Sequence, residues 1–220
     1  MADIEILSAK ITERLAGCIQ HSIIVGGELT LEVDAMQLLS VCLVLRDDPE
    51  FDFKLLVDIC GVDYLHYGMS EWETESASGT GFERGVEEMG GATLTTPRFA
   101  VVYHLLSLTQ NHRVRIRVFL DEKNLKVSSV LDLWPAANWY EREAFDMFGI
   151  SFIGHPDLRR LLTDYGFVGH PFRKDFPLIG KVEARYDAKE RRVIYDSVSI
   201  APRILEPKVI RHDTRYESGE

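Results

Sequence analysis

The spacing of apolar positions changes period several times along the chain. Ile4, Leu7, Ile11, Leu15 and Cys18 fall on one stripe with polar residues opposite. That spacing predicts an amphipathic helix over residues 3–20, ending near Gly17. Two short apolar runs, 22–25 and 29–33, flank Gly26-Gly27 and predict a tight β-hairpin. Asp34 is placed to cap a second helix running to about Leu45, which Asp47-Asp48-Pro49 stops. Residues 55–64 are rich in Leu, Val and Ile and are broken by Gly61, the pattern of a central strand with a bulge or bend.

Between residues 68 and 97 the periodicity gives way to Ser, Gly, Thr and Glu, which predicts a surface insertion without chemistry of its own. Residues 99–108 and 113–120 then form an antiparallel pair around a turn at 109–112. In the second strand Val114, Ile116, Val118 and Leu120 alternate with Arg113, Arg115 and Arg117, so one face enters the core and the other displays three guanidinium groups. That display is either a solvated sheet face or a patch for the carboxylates of a partner. Near the end, 182–186 and 193–200 alternate about a turn at 187–190 and predict a long hairpin. The last twenty residues carry Pro202, Pro207 and no period, so the tail is either disordered or ordered only on a partner, and its apolar residues Ile204, Leu205, Val209, Ile210 and Tyr216 favour the second.

The densest stretch is 138–180, NWYEREAFDMFGISFIGHPDLRRLLTDYGFVGHPFRKDFPLIG. Asn138 followed by Glu141 reads as a capping box and Gly149-Ile150 as a helix stop, predicting a short helix over 139–148 with an Arg142–Asp146 pair along it. A second short helix is expected over 156–164, followed by a loop stiffened by prolines and aromatics. Trp139, Tyr140, Phe145 and Phe148 cannot all face one side of three helical turns, so some of this surface must meet another segment or another chain. The pattern as a whole predicts an α+β protein. It has a mixed, largely antiparallel sheet with N-terminal helices on it, then a helix-loop segment, a hairpin and an extended C-terminal arm. The expected boundaries are 1–135, 136–180 and 181–220.

Composition narrows the functional classes. A net charge of −10 argues against general nucleic-acid binding, which needs a basic surface to neutralise phosphates. The charge is uneven: residues 71–88 hold six glutamates against Arg84, whereas 155–192 hold nine Lys or Arg against six acids. The basic region is either a docking face or a solvated surface. No apolar run reaches the roughly 18 to 20 residues of a membrane-spanning helix, so membrane association is expected to be peripheral. Cys18, Cys42 and Cys60 are odd in number, far apart and set in apolar patterns, which predicts buried thiols and a cytosolic or matrix-side compartment. The acidic opening MADIEI points to a bacterial protein or a processed mitochondrial one.

Three kinds of chemistry compete for the 138–180 segment. His155 and His170 lie in matching Gly-His-Pro turns near Asp157, Asp164 and Asp175, but the spacing fits no zinc or iron pattern, and an imidazole bonded to backbone is the better reading. An independent active site would combine Glu141, Glu143 or Asp146 with a histidine, yet no phosphate loop, nucleophile elbow or dinucleotide fingerprint accompanies them. An interaction surface rich in Trp, Tyr and Arg accounts for the most residues. Its candidates are Arg113, Arg115, Arg117, Trp139, Tyr140, Arg142, His155, Arg159, Arg160, His170, Arg173 and Lys174.

Glu141-Arg142-Glu143, Asp146-Met147-Phe148-Gly149, His155 through Leu162 and Asp164-Tyr165-Gly166, continued by Gly169-His170-Pro171 and Arg173 through Leu178, closely resemble the C-subunit family of the proton-pumping NADH:quinone oxidoreductase, respiratory complex I. A weaker likeness extends over 99–134, so somewhat more than half the chain is covered. The 68–97 segment looks longer than is typical of the family, and the tail from Ala201 matches no family pattern.

The resemblance implies a non-catalytic peripheral-arm subunit with no redox centre of its own, on the cytoplasmic or matrix side of the inner membrane. It would contact the large quinone-site subunit and the neighbouring iron-sulfur subunits, and the membrane only through the complex. FMN, iron-sulfur clusters and quinone would be bound by other subunits, which agrees with the lack of cluster-ligating cysteine spacing here. The alternatives are the equivalent subunit of a hydrogenase-like or ferredoxin-linked complex and, further off, an enzyme using the His155/His170 region. On the subunit reading, charge reversal at Arg142 or Arg159 impairs assembly more than it destabilises the free chain.

Overall fold

A computed structural model describes residues 2–65, 67, 70–72, 86–88, 97–177 and 179–199. The chain divides into two compact units, Met1–Leu65 with Thr95–Phe176, and His66–Leu94 with Pro177–Glu220.

The first unit opens with α1 (Ala2–Arg14), the β1–β2 hairpin (Ile19–Val25 and Glu28–Val33), α2 (Leu38–Asp47) and β3 (Leu55–Asp63). Two three-residue strands, β4 (Ser70–Trp72) and β5 (Val86–Glu88), pair antiparallel in the second unit. The remaining residues of the insertion up to 96 and the arm from Ala201 lie outside the described residues. The first unit resumes with β6 (Phe99–Ser107), β7 (His112–Leu120), β8 (Lys126–Ser128), α3 (Ala137–Phe148) and β9 (Ser151–Ile153). A hairpin of β10 (Val182–Asp187) and β11 (Arg192–Ser197) belongs to the second unit.

The five-stranded sheet has the order β1-β2-β7-β6-β3, with β2 parallel to β7 and the other neighbours antiparallel. It is the mixed, largely antiparallel sheet that the alternation predicts. Leu29, Leu31, Val114, Ile116, Val118, Val101, Tyr103, Leu105 and Ile59 lie on one face of it and are buried. Leu7, Ile11 and Leu15 of α1, Val41, Cys42 and Leu45 of α2, and Ala137 and Ala144 of α3 complete the same core. Burial of this apolar surface, at about 25 cal/mol per Å2, is the main term holding the helices to the sheet.

Several local expectations give way. β3 is an edge strand, and its irregularity falls between Leu56 and Asp58 rather than at Gly61. Gly61 has a different duty, because a Cβ there would lie 2.5 Å from the ring of Phe148, so its absence lets α3 settle on β3. Asp34 does not cap α2; its Oδ1 accepts from the amide of Met36 at 2.8 Å and shapes the turn before the helix. No capping box forms at Asn138 and Glu141, because α3 starts earlier, after Ala136, with no side-chain cap. Residues 156–164 form no helix. The β8–β9 pair, parallel and three residues long, is too short to show a period in sequence. Among the cysteines Cys42 is buried, Cys18 and Cys60 are half-buried, and all three are free thiols.

Gly61→Ala is expected to lower the stability of the isolated chain by about 1–3 kcal/mol, the usual cost of overpacking, read from the urea midpoint. An unchanged midpoint would show that α3 shifts freely on the sheet.

Candidate functional site

Asp146 points from the last turn of α3 into the loop that follows β9, and its side chain is wholly buried. Oδ2 accepts from three consecutive backbone amides, Leu161 at 3.0 Å, Leu162 at 2.8 Å and Thr163 at 2.9 Å. Oδ1 accepts from the Thr163 hydroxyl at 2.6 Å and the Arg160 guanidinium at 2.9 Å. Burial alone would raise the pKa of this carboxyl, but the Thr163 hydroxyl and the three amides hold it far below the usual carboxylate range. A helix over 156–164 would turn these amides into its own ladder; the carboxylate takes them instead. The expected Arg142–Asp146 pair is absent for the same reason, Asp146 being committed to Arg160.

The loop also caps the end of α3. The last four carbonyls of a helix lack internal partners. Here Phe145 O accepts from Gly149 N at 2.9 Å, Asp146 O from His170 Nδ1 at 2.9 Å, Met147 O from Phe172 N at 3.1 Å and Phe148 O from Arg173 Nε at 2.7 Å. Burial and the nearby Arg173 and Arg160 keep the His170 pKa low, which suits a neutral ring donating through Nδ1. Gly149 ends the helix at φ 77°, and a Cβ there would come within 2.6 Å of both His170 and Arg173. Arg142 reaches over and donates to the carbonyls of Arg159 at 3.2 Å and Arg160 at 3.3 Å, while His155 Nε2 meets Asn138 O at 3.3 Å. Both Gly-His-Pro imidazoles are thus bonded to backbone carbonyls of α3.

A second buried carboxylate anchors the far end of the loop. Asp63, at the end of β3, takes a bidentate pair from Arg98, both contacts at 3.0 Å, and accepts from the amides of Leu65 and Lys174. Arg98 also pairs with Glu122 and Asp175, and its guanidinium lies 4.6 Å from the Phe99 ring centre. Asp63 and Arg98 escape notice in sequence because they stand 35 residues apart, at strand ends without a motif. Glu141 is enclosed on the inner face of α3, its carboxyl accepting from Ser129 Oγ at 2.6 Å and Val130 N at 2.8 Å. Burial outweighs these bonds and lifts its pKa to about 7.

The sequence candidates separate into two groups. Arg142, His155, Arg160, His170 and Arg173 make the internal bonds just described, and Tyr140 packs partly buried against the core. Trp139, Arg159 and Lys174 face outward, together with Leu162, Tyr165, Val168 and Phe172 from the same loop. Arg113, Arg115 and Arg117 lie away from both, on the opposite face of the sheet. There the parallel register lets Glu28 pair with Arg115 and Glu32 with Arg117, and Arg113 is exposed. Among the described residues no group of three His, Cys, Asp or Glu side chains could hold a metal ion. Asp146 and Glu141 are fully buried, so neither can touch a substrate.

Fold and site define a class: an α+β module with a mixed sheet, in which the richest polar segment is used to fix the shape of a long irregular loop. The profile of the family described as "Respiratory-chain NADH dehydrogenase, 30 Kd subunit" matches residues 31–182. The C subunit of the NADH-quinone oxidoreductase of Coxiella burnetii (strain Dugway 5J108-111) is 57% identical, with 100% of this chain and 98% of that one aligned. That of Legionella pneumophila (strain Corby) is 58% identical over 98% of this chain and 96% of its own. A trypsin-resistant fragment of Nqo5 superposes with a TM-score of 0.52 at 28% identity, over 70% of this chain and 98% of the fragment. A chain of the membrane-bound sulfane sulfur reductase, an archaeal respiratory membrane complex, shares the fold with a TM-score of 0.54 at 22% identity, over 81% of this chain and 88% of that one. The chain belongs to the family of the 30 kDa subunit, or C subunit, of the respiratory-chain NADH dehydrogenase, and the resemblance carried by residues 141–178 is borne out. It is a subunit of NADH:quinone oxidoreductase, and among its described residues no helix is long and apolar enough to cross a membrane.

Asp146→Ala should cost about 3 kcal/mol or more, because it leaves three loop amides and a guanidinium without their acceptor. Hydrogen exchange at the amides of Leu161, Leu162 and Thr163 should accelerate far more than exchange in β6 and β7, and equal acceleration everywhere would contradict the local role. Glu141 sets an opposite pH dependence. Its folded pKa lies above the ordinary value of 4.5, so the folded chain binds the extra proton between about pH 4.5 and 7 and loses stability as pH rises through that window. Glu141→Gln keeps an acceptor for Val130 and should remove a decline of about 2 kcal/mol between pH 5 and 8, measured by urea titration.

Proposed function

We propose that this chain is a cofactor-free peripheral-arm subunit that fixes other subunits in place, with FMN, iron-sulfur clusters and quinone all bound elsewhere in the complex. Electrons pass from NADH to quinone through those centres, coupled to proton translocation. The chain sits on the cytoplasmic or matrix side of the inner membrane and touches the membrane only through its partners, the large quinone-site subunit and the neighbouring iron-sulfur subunits. The observation that carries this reading is the loop over 154–176. It has no regular secondary structure, yet it is held by two buried carboxylates and the end of a helix, while Trp139, Leu162, Tyr165, Val168 and Phe172 remain exposed. Ordering backbone costs roughly 1–2 kcal/mol per residue, and a loop ordered in advance spares the complex that cost on docking.

In this reading the twelve candidate residues serve two contact faces by different means. Trp139, Arg159 and Lys174 touch a partner directly, and Tyr140, Arg142, His155, Arg160, His170 and Arg173 hold the contact surface in shape. Arg113, Arg115 and Arg117 present a second, charged contact on the open sheet face. Arg142 and Arg159, alike in sequence, then differ in effect.

Arg142→Glu is expected to lower the melting temperature of the free chain, since the new carboxylate would face the carbonyls of Arg159 and Arg160. Arg159→Glu, at an exposed position that among the described residues pairs only with Asp157, should leave that temperature within about 1 °C and still reduce recovery of the assembled complex. Equal melting losses in both variants would sink the division. Stoichiometric flavin or iron-sulfur absorbance in the purified chain would sink the cofactor-free reading.

A further inference from the structure

A slot of about 160 Å3 lies where α3 passes the free edge of β3. Asp58, Cys60 and Gly61 of β3 line one side and Glu143, Met147 and Phe148 of α3 the other, with Phe172 of the loop at its margin. β3 is the last strand of the sheet on this side, so no further strand of that sheet covers the slot. The lining is apolar at depth, where Met147 is buried and the Phe148 ring meets Phe172 edge-on at 5.8 Å between centroids. Phe172 is 57% exposed at this margin.

The charged residues that line the slot are both acids, and Asp58 also stands across from His104 of β6, on which it acts electrostatically. Asp58 and Glu143 both act electrostatically on the Cys60 thiol, so both carboxylates lie near that sulfur. Among the described residues neither carboxylate has a hydrogen-bond or ion-pair partner. Arg115 also acts on Cys60, but it is paired with Glu28 on the open sheet face. Among the described residues no set of three ligands could hold a metal ion here. What remains is an apolar slot with an unpaired acid on each wall and an aromatic ring at its margin. A guanidinium or ammonium group fits that chemistry, since its N–H edge pairs with carboxylates and its flat or methylene portion packs on a ring.

We propose that this slot receives an arginine or lysine side chain from a neighbouring subunit, clamped between Asp58 and Glu143 and covered by Phe172. The polarity is the reverse of the basic, aromatic loop surface: here this chain supplies the acid and its neighbour the base. The proposal rests on the reading of the chain as an assembled subunit.

The test uses the full-length chain carrying an affinity tag in cells that assemble the complex, with recovery of the flavin-containing, NADH-oxidising assembly as the readout. Recovery with the wild-type chain tests the subunit reading by itself; a wild-type chain that brings down no such assembly overturns that reading and this one with it. Against a wild-type success, Asp58→Asn combined with Glu143→Gln removes both charges while keeping shape. Its recovery at 0.3 M salt should fall at least tenfold, with the melting temperature of the free chain unchanged, and Glu143→Lys should fall further. Assembly of the neutral double variant at the wild-type level overturns the clamp. So does a gain in recovery with Glu143→Lys, which would indicate an acidic occupant, or a matching loss of free-chain stability, which would make both acids merely structural.

Discussion

One buried carboxylate, Asp146, is the constraint on which the shape of the 154–176 loop depends. Taking an ion out of water costs several kcal/mol unless its new partners match it closely. Five donors meet that condition here, three of them successive backbone amides that no helix can then use. The price of burying the charge is therefore met by fixing the loop in one conformation. A longer, neutral or absent side chain at this position would release both the ion's partners and the path of the chain.

The same logic extends along α3. Helix ends carry orphan carbonyls, and sequences commonly satisfy them with a glycine turn and water. In this chain the glycine turn satisfies one, and the loop supplies His170, Phe172 and Arg173 to the others. The cation of Arg173 also stands at the negative end of the helix dipole, where it is stabilising. Asp63 and Arg98 repeat the arrangement at the opposite end of the loop, a buried acid binding an arginine and the amide of Lys174. The loop also has a small core of its own, in which Phe167 and Phe176 lie 5.8 Å apart and Gly169 leaves room for the Phe176 ring.

These bonds explain why a segment so rich in catalytic residue types belongs to a subunit without evident chemistry at those residues. Histidine, arginine and aspartate are concentrated there because each can satisfy backbone groups in an irregular loop, which regular secondary structure would otherwise do. Carboxylates that are buried and fully bonded are poor candidates for proton transfer with a substrate, however suggestive their spacing. Among the exposed residues left over, Trp139, Tyr165 and Arg159 are of the types that dominate interface energetics.

Much of the fold follows from periodicity in the sequence. The β1–β2 hairpin, the β6–β7 pair with its alternating arginines, the C-terminal hairpin and the glycine stop of α3 each depend on neighbours within a few residues, and each is present as the pattern predicts. The motif content of 141–178 likewise carried the family. What only the tertiary structure decided is the use made of individual polar groups. Glu141 and Asp146 read as a cap and an i, i+4 partner because helices offer such roles locally, yet both are turned inward to partners 11 to 17 residues away. Arg117 and Glu32 are joined across 85 residues by the parallel register of β2 and β7, and Gly61 is kept open for the ring of Phe148, far along the chain. A buried charge takes the best set of donors that folding brings to it, and local sequence cannot say which distant segment will provide them.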